Sequence, residues 1–335
     1  MAPGIPCLTH AREVSGGIAV LTAAIVFGLA AVAEAQNYPT RPITLVVPFP
    51  PGGSTTIVAR IITDRMADAI GQPFVVDNRG GAGGTLGTRQ VAKSAPDGYT
   101  IALGYSGTLA IAPSLFPNAG YDVRSDFAPI GRIGVAPSAL VVYPSFPVHS
   151  VAELIAYAKA NPGKVNYGSA GIGTVGHVAA EYFAITTGIK LAHIPYKGTG
   201  QAITDLLGGH IPLSFSPIPA VHESAKNGLL RMLAVTSAKR STLLPDVPTV
   251  AESGVPGFDA VLRYGLVAPA GTPRPVIERL NAALRATLES GEVRNRLAIE
   301  GAEPLPSTPE EYGVDIDHEE TQWSKVIKAS GAKAE

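Results

Sequence analysis

Three stretches of this chain join glycine to hydroxyl side chains where a strand should give way to a helix. They are Gly52-Gly53-Ser54-Thr55, Ser106-Gly107-Thr108 and Ser169-Ala170-Gly171-Ile172-Gly173-Thr174. A turn of this kind presents backbone N–H groups that have no helical partner, together with the positive end of the helix dipole. That is the chemistry of a small-anion site. None of the three contains Lys or Arg, the nearest being Arg60, Arg89 and Lys197. Polyphosphates usually recruit such a cation, so neutral cradles favour a carboxylate. One such turn serves equally well to start a helix; it is the recurrence of the same composition that points to a ligand.

Catalytic readings of the same residues are weaker. Gly171-Ile172-Gly173-Thr174-Val175-Gly176 has the dinucleotide spacing between a strand and a helix. The acidic residue that the fingerprint needs about 20 positions on is missing, since none lies between Glu181 and Asp205. Neither Ser106 nor Ser169 sits in a G-x-S-x-G elbow. His222-Glu223 opens like a zinc-protease motif, but Lys226 stands where the second histidine belongs. His149, His193, His210 and His318 are scattered without ligand spacing, and only His177, opening the helix after the third cradle, is placed to matter. Cys7 is the single cysteine, which excludes a disulfide framework and any multi-cysteine metal site. Neither a metal nor a cofactor is expected.

The elements that must position these turns follow from the hydrophobic pattern. Residues 43–49 form a continuous apolar run of β-branched character, as in a strand buried on both faces. After the Pro-Pro-Gly-Gly break, Val58, Ile61, Ile62, Met66 and Ala69 recur at helical spacing until Gly71 and Pro73 stop the helix. The unit repeats: strands at 74–77, 100–104, 165–167 and 191–195 lead into Gly-rich turns and helices. The alternation predicts an α/β protein with mainly parallel sheets. Ala139–Tyr143 precedes a helix that Ser150 caps with Glu153 in a capping box, and Tyr264–Ala268 follows a Pro/Gly-rich loop. These two strands are expected to cross between lobes, with lobe 1 at 36–140 and 264–335, lobe 2 at 141–263, and a cleft between them. Helices at 275–289, 292–300 and 309–328 complete the chain.

Composition sets the boundaries of this reading. The chain has 335 residues, 26 Lys+Arg against 27 Asp+Glu, and 16% charged residues, against about 25% in an average globular protein. A nucleic-acid partner of the basic-patch kind is excluded, because that mode needs a cationic excess. Residues 14–33 carry no charge and run into Ala33-Glu34-Ala35, a small-x-small pattern that suits signal-peptide cleavage after Ala35. Removing residues 1–35 takes away Arg12, Glu13 and Glu34 and leaves 25 basic against 25 acidic residues with no cysteine. A neutral, thiol-free exported chain fits an oxidising periplasm.

A set of motifs resembles one family. Tyr38-Pro39-Thr40-Arg41-Pro42-Ile43 leads into Pro48-Phe49-Pro50-Pro51-Gly52-Gly53-Ser54-Thr55. It is followed by Asn78-Arg79 with Gly81-Ala82-Gly83-Gly84, and by Ala95-Pro96-Asp97-Gly98-Tyr99-Thr100. Further on come Asn166-Tyr167-Gly168-Ser169-Ala170-Gly171, Pro195-Tyr196-Lys197-Gly198, Leu244-Pro245-Asp246-Val247-Pro248-Thr249 and Ala268-Pro269-Ala270-Gly271-Thr272-Pro273. In this order, from about 37 to 330, they resemble the Bug family, the TctC-type solute-binding proteins of tripartite tricarboxylate transporters. The resemblance implies a two-lobed type II periplasmic-binding-protein fold, joined by two hinge strands, that closes on a small carboxylate. It implies a monomeric binding protein rather than an enzyme, with the membrane subunits of such a transporter, or a sensor-kinase ectodomain, as partner. An α/β enzyme acting on a carboxylate is the more distant alternative.

Carried onto matching positions, the resemblance implies ligand contacts from Phe49, Gly53, Ser54, Thr55, Ser106 and Thr108. On the opposite side it implies Ser169, Ala170, Gly171, Thr174, His177 and Ser216. Three positions depart from the family pattern: Thr56 and Ser216 stand where Asp is common, and Ile172 where Asn is common. An Asp at position 216 could pair with a ligand ammonium. Ser216 and Ile172 together therefore imply a less polar pocket, for a dicarboxylate or an aromatic acid rather than an amino acid.

Overall fold

The computed structural model describes residues 38–51, 54–116 and 118–331. The chain divides into Met1–Thr40, of which Tyr38–Thr40 is described and is neither helix nor strand, and Arg41–Glu335, to which all of the following belongs. The leader expected at 1–35 lies outside the described residues.

In chain order the unit opens with β1 (Ile43–Val47), α1 (Ser54–Ile70), β2 (Phe74–Asn78), α2 (Thr85–Ala92) and β3 (Thr100–Tyr105). A buried π-helical turn, Gly107–Ile111, runs into the short α3 (Ala112–Leu115), then β4 (Phe127–Ala136) and β5 (Ser138–Val142). Next come α4 (Val151–Ala160), β6 (Val165–Ser169), α5 (Val175–Thr187), β7 (Leu191–Pro195), α6 (Thr199–Leu207), β8 (Leu213–Pro217), α7 (Ile218–Lys226) and β9 (Arg231–Val235). After a long loop come β10 (Leu262–Pro269), α8 (Arg274–Glu289), α9 (Gly291–Ile299), β11 (Glu303–Pro304) and α10 (Pro309–Ser330).

The first αβ unit shows how the pattern folds. Ile43, Leu45, Val46 and Val47 are fully buried in β1, and Val58, Ile62 and Met66 line the inner face of α1 at i, i+4, i+8. Gly71 ends that helix in the left-handed region (φ 83), its N–H donating to the Ala67 carbonyl. In α4 one half of the expected capping box forms, the Ser150 side chain accepting from the Glu153 N–H, while the Glu153 carboxylate accepts the His149 N–H at 2.7 Å.

Two sheets form, ordered β11-β4-β10-β3-β1-β2 and β7-β6-β8-β5-β9. They are mixed rather than mainly parallel. β1 runs parallel to β2 and β3, but β10 is antiparallel to both β3 and β4, and β11 to β4. In the second sheet β6 is parallel to β7 and β8, while β5 is antiparallel to β8 and β9. The reason is the path between sheets. Pro137 alone separates β4 from β5, so β5 enters its sheet from the end at which the strands with helical crossovers finish. β10 enters the first sheet from the same side. A strand that arrives from that end must run against its neighbours. Neither expected crossing strand belongs to both sheets; the links are Pro137 and the segment 236–261. Consequently the carboxyl ends of β1, β3 and β4 face those of β6, β8 and β9 across Pro137, where ligands of open α/β sheets bind.

The long α10 fastens the two sheets. It starts on a capping box, Thr308 with Glu311. Its first half puts Tyr312 and Ile316 into a core with Val46 and Val267 of the first sheet. Its second half puts Trp323, Val326 and Ile327 into a core with Leu140, Tyr167 and Phe215 of the second. Burying side chains of this size contributes roughly 1.5–3 kcal/mol each.

Candidate ligand-binding cleft

A cavity of about 550 Å3 lies where the two sets of strand ends meet. Ala136, Pro137 and Ser138 form its floor. From the first sheet it receives Phe49 beyond β1, Thr55 in the first turn of α1, Tyr105 at the end of β3, and Leu262 and Tyr264 of β10. The Phe49 and Tyr105 rings meet edge-on at 4.8 Å. From the second sheet come Ala170, Ile172, Thr174, Val175 and Gly176 around the start of α5, and Ser214 and Ser216 of β8. Among the described residues no Lys, Arg or His lines it, and Glu300 is the one charged residue that does. Burial raises the Glu300 carboxyl above its ordinary pKa.

The loop between β6 and α5 is built from within. Thr174 Oγ1 donates to the Gly171 carbonyl at 2.7 Å, and the Thr174 N–H reaches the same oxygen at 3.3 Å. Ser169 Oγ accepts the Gly171 N–H at 3.1 Å and lies 2.7 Å from His193 Nε2. Behind the loop three rings stack, Tyr167 on His193 at 4.8 Å and His193 on His177 at 4.2 Å. His177 Nδ1 accepts the Gly173 N–H at 3.2 Å, which requires an unprotonated nitrogen. The environment enforces this: burial, with His193 beside it, pushes His177 down to about 3, and burial pushes His193 down to about 4.

The N–H groups of the first turn of a helix have no helical partners, and two residues of that turn of α5, Val175 and Gly176, line the cavity. Position 176 has room only for glycine, since a Cβ there would lie 2.4 Å from the Phe215 carbonyl oxygen. This close approach presses the start of α5 against β8.

Of the residues carried over from the family pattern, Phe49, Thr55, Ala170, Thr174 and Ser216 line the cavity. Ser106, Thr108, Ser169, Gly171 and His177 do not line it. Ser169, Gly171 and His177 brace the α5 loop. Ser106 is buried elsewhere: its Oγ donates to Glu319 Oε1 at 2.7 Å and accepts the Arg263 N–H at 2.9 Å. Arg263 in turn pairs with Glu319 and Asp259, each at 3.0 Å. Thr108 Oγ1 donates to the Tyr105 carbonyl. Gly53 and the side chain of Ser54 lie outside the described residues. Thr56 turns inward, donating to the Pro50 carbonyl and accepting from Asn78 Nδ2 at 2.9 Å. Asn78 Nδ2 also donates to the Phe49 carbonyl at 2.9 Å and so steadies the loop that carries Phe49.

Sequence reasoning did not reach Tyr105, Ser214, Gly176 or Glu300 as lining residues. Tyr105 and Gly176 adjoin the turns it singled out, and Ser214 shares a strand face with Ser216. Glu300 carries no motif at all.

A cleft between two α/β sheets, floored by the chain's crossing point and armed with helix starts, defines a solute-binding protein. The sequence model of the tripartite tricarboxylate transporter family receptor, TctC, matches residues 58–332, and the chain belongs to this family. It is 42% identical to the protein BugT of Bordetella pertussis over 318 residues, 95% of this chain and 96% of that protein. Among solved structures it resembles an R. palustris protein with adipate, with TM-score 0.78 and 39% identity, covering 88% of this chain and 99% of that one. It also resembles MatC from Rhodopseudomonas palustris with bound malate, with TM-score 0.74 and 33% identity, covering 87% and 100%.

Proposed function

We propose that this chain captures a small carboxylate in the cleft, as a periplasmic binding protein, and delivers it to the membrane subunits of a tripartite tricarboxylate-type transporter. The observation that carries this reading is the lining of the cavity: Thr55, Val175 and Gly176 come from the first turns of two helices, and no basic side chain is among the described lining residues. Such a site suits a single carboxylate held by dipoles, and it suits a polyphosphate poorly. Thr55 from one wall and the α5 turn from the other hold it, and closure of the two lobes brings both sets together. The adipate and malate bound by two structural relatives support the ligand class. Ser216, where Asp is common, favours a dicarboxylic or aromatic acid over an α-amino acid.

Calorimetric titration of acids against their primary amides tests the reading. Each hydrogen bond to a charged group is worth about 1.5–3 kcal/mol, so an amide should bind at least about tenfold more weakly than its acid. Amides that bind as tightly as their acids would show that the site does not read a carboxylate.

A further inference from the structure

A short segment of the first sheet reaches across to the second beside the cavity. Residues 300–302 join α9 to β11, and β11 is tied into the first sheet. It pairs with β4 at Val135 and Gly134, and the Leu305 N–H donates to the Ile133 carbonyl at 3.0 Å. From that base the segment touches the second sheet's side at two points. Gly301 is buried in the left-handed region (φ 69), and a Cβ there would lie 2.6 Å from Cγ and Cδ of Pro219, in the first turn of α7. Gly301 and Pro219 both line the cavity.

The second point is polar. Glu303 Oε1 accepts the Ser241 hydroxyl at 2.8 Å and the Thr242 N–H at 3.1 Å, and charge-assisted bonds of this kind are the stronger ones. The Ser241 carbonyl accepts the Leu244 N–H at 3.1 Å, and Leu243, Leu244 and Val247 pack on a core with Ile218 and Val221 of α7. The donors to Glu303 are thus carried by the second sheet's side, while Glu303 stands on the first. Glu303 itself does not line the cavity. Any effect it has on a ligand must pass through the relation between the two sides.

We propose that the 301–303 segment is the clasp of the cleft. Gly301 seats it on α7, Glu303 fastens it to Ser241 and Thr242, and Glu303 is a positioning residue for a ligand it does not touch. The proposal rests on the reading of the cleft as the ligand site, and not on which acid fills it. A closed state that is less populated binds every ligand less tightly by one factor, and easier opening shows mainly in dissociation.

Adipate, malate and benzoate are titrated by calorimetry against the whole protein, and their dissociation is timed by stopped flow. Glu303→Ala should weaken every acid that binds by the same factor, about tenfold, most of it in the dissociation rate. Glu303→Gln keeps an oxygen for both donors and should stay much nearer to wild type. Gly301→Ala should also weaken binding, and Gly301→Ala with Pro219→Ala, which removes the ring atoms it strikes, should recover part of the loss. Gly163 has φ 72 and no atom within 4 Å of a Cβ, so Gly163→Ala measures backbone strain alone. It should leave affinity within about twofold. Unchanged affinity and dissociation in Glu303→Ala overturn the clasp, and so does a loss confined to one acid among several that bind. If none of the three acids binds wild type, the carboxylate reading fails and small-angle scattering decides the clasp. Glu303→Ala should then have a larger radius of gyration than wild type, and equal radii overturn the proposal.

Discussion

The turns that follow β3 and β6 have the same ingredients and opposite fates. Both join a buried parallel strand to a helix through serine, glycine and threonine. After β6 the hydrogen bonds are mostly local, Ser169 to Gly171 and Thr174 to Gly171, and the first turn of α5 lines the cavity with Val175 and Gly176. After β3 the serine is taken by partners far along the chain, Glu319 on α10 and Arg263 on β10, and the helical turn that follows is buried throughout. Gly107 alone of the Ser106–Thr108 stretch reaches the cavity. Composition therefore nominates a cradle, and what packs behind it decides whether it binds or braces. The first turn is a fastening between α10 and β10, and the second is the edge proposed to bind the ligand.

Substitutions should separate the two roles, and the largest effect belongs to the fastening. Glu319 is buried, burial raises its pKa, and Arg263 and Ser106 oppose that rise. Glu319→Ala leaves Arg263 with Asp259 alone, and breaking a buried pair of this kind costs about 3–5 kcal/mol. Urea unfolding should show that loss while the ligand Kd stays within a few-fold. A large loss of affinity at unchanged stability would place this network in the site instead. Next comes Gly176→Ala, whose added Cβ collides with the Phe215 carbonyl and pushes the first turn of α5 off β8. Displacing the N–H groups that face the carboxylate should weaken binding by about 1.5–3 kcal/mol per hydrogen bond lost. An alanine variant that binds like wild type would mean that α5 does not hold the ligand.

How much of this was legible in the sequence follows the range of the interactions. The starts of α1 and α5 were readable because their signals, Gly/Ser/Thr before an apolar helical repeat, are local. Ser106 was misplaced because its partners lie 157 and 213 residues away, and no local pattern announces them. Strand direction was misjudged for a related reason: β5 and β10 look like any apolar strand, and only the path through Pro137 and the 236–261 segment makes them run against their neighbours. Glu300 was invisible, because a glutamate after a helix has no meaning until Pro219 is packed against the next residue.

A smaller effect should come from pH, through the brace behind the binding edge. His177 sits at about 3 in the folded protein against 6.5 ordinarily. Between those two values the unfolded chain binds more protons than the folded one, so stability rises with pH across that window. Its contribution is fully present above about pH 6.5 and is lost on acidification, at up to about 1.4 kcal/mol per pH unit. His177→Asn keeps an acceptor for the Gly173 N–H and removes the titration. Its unfolding free energy should fall less steeply than that of wild type between pH 6 and 5. Parallel pH profiles for the two proteins would remove His177 from the brace.

The smallest expected effect is the sharpest test of how Thr174 works. If its hydroxyl met the ligand carboxylate, Thr174→Val would remove a hydrogen bond to a charged group, about 1.5–3 kcal/mol or more than tenfold in Kd. In the structure that hydrogen goes to the Gly171 carbonyl instead, and the Thr174 N–H holds the same oxygen at 3.3 Å. Valine keeps the shape and the N–H contact, so the turn loosens without opening. The loss should be that of one ordinary hydrogen bond, about 1 kcal/mol, and it should be shared by every ligand the cleft accepts. Thr174→Ser, which restores the hydroxyl, should recover it. A loss well beyond tenfold for Thr174→Val, confined to the tightest-binding acid, would return Thr174 to direct contact with the ligand and make the two turns more alike than their hydrogen bonds indicate.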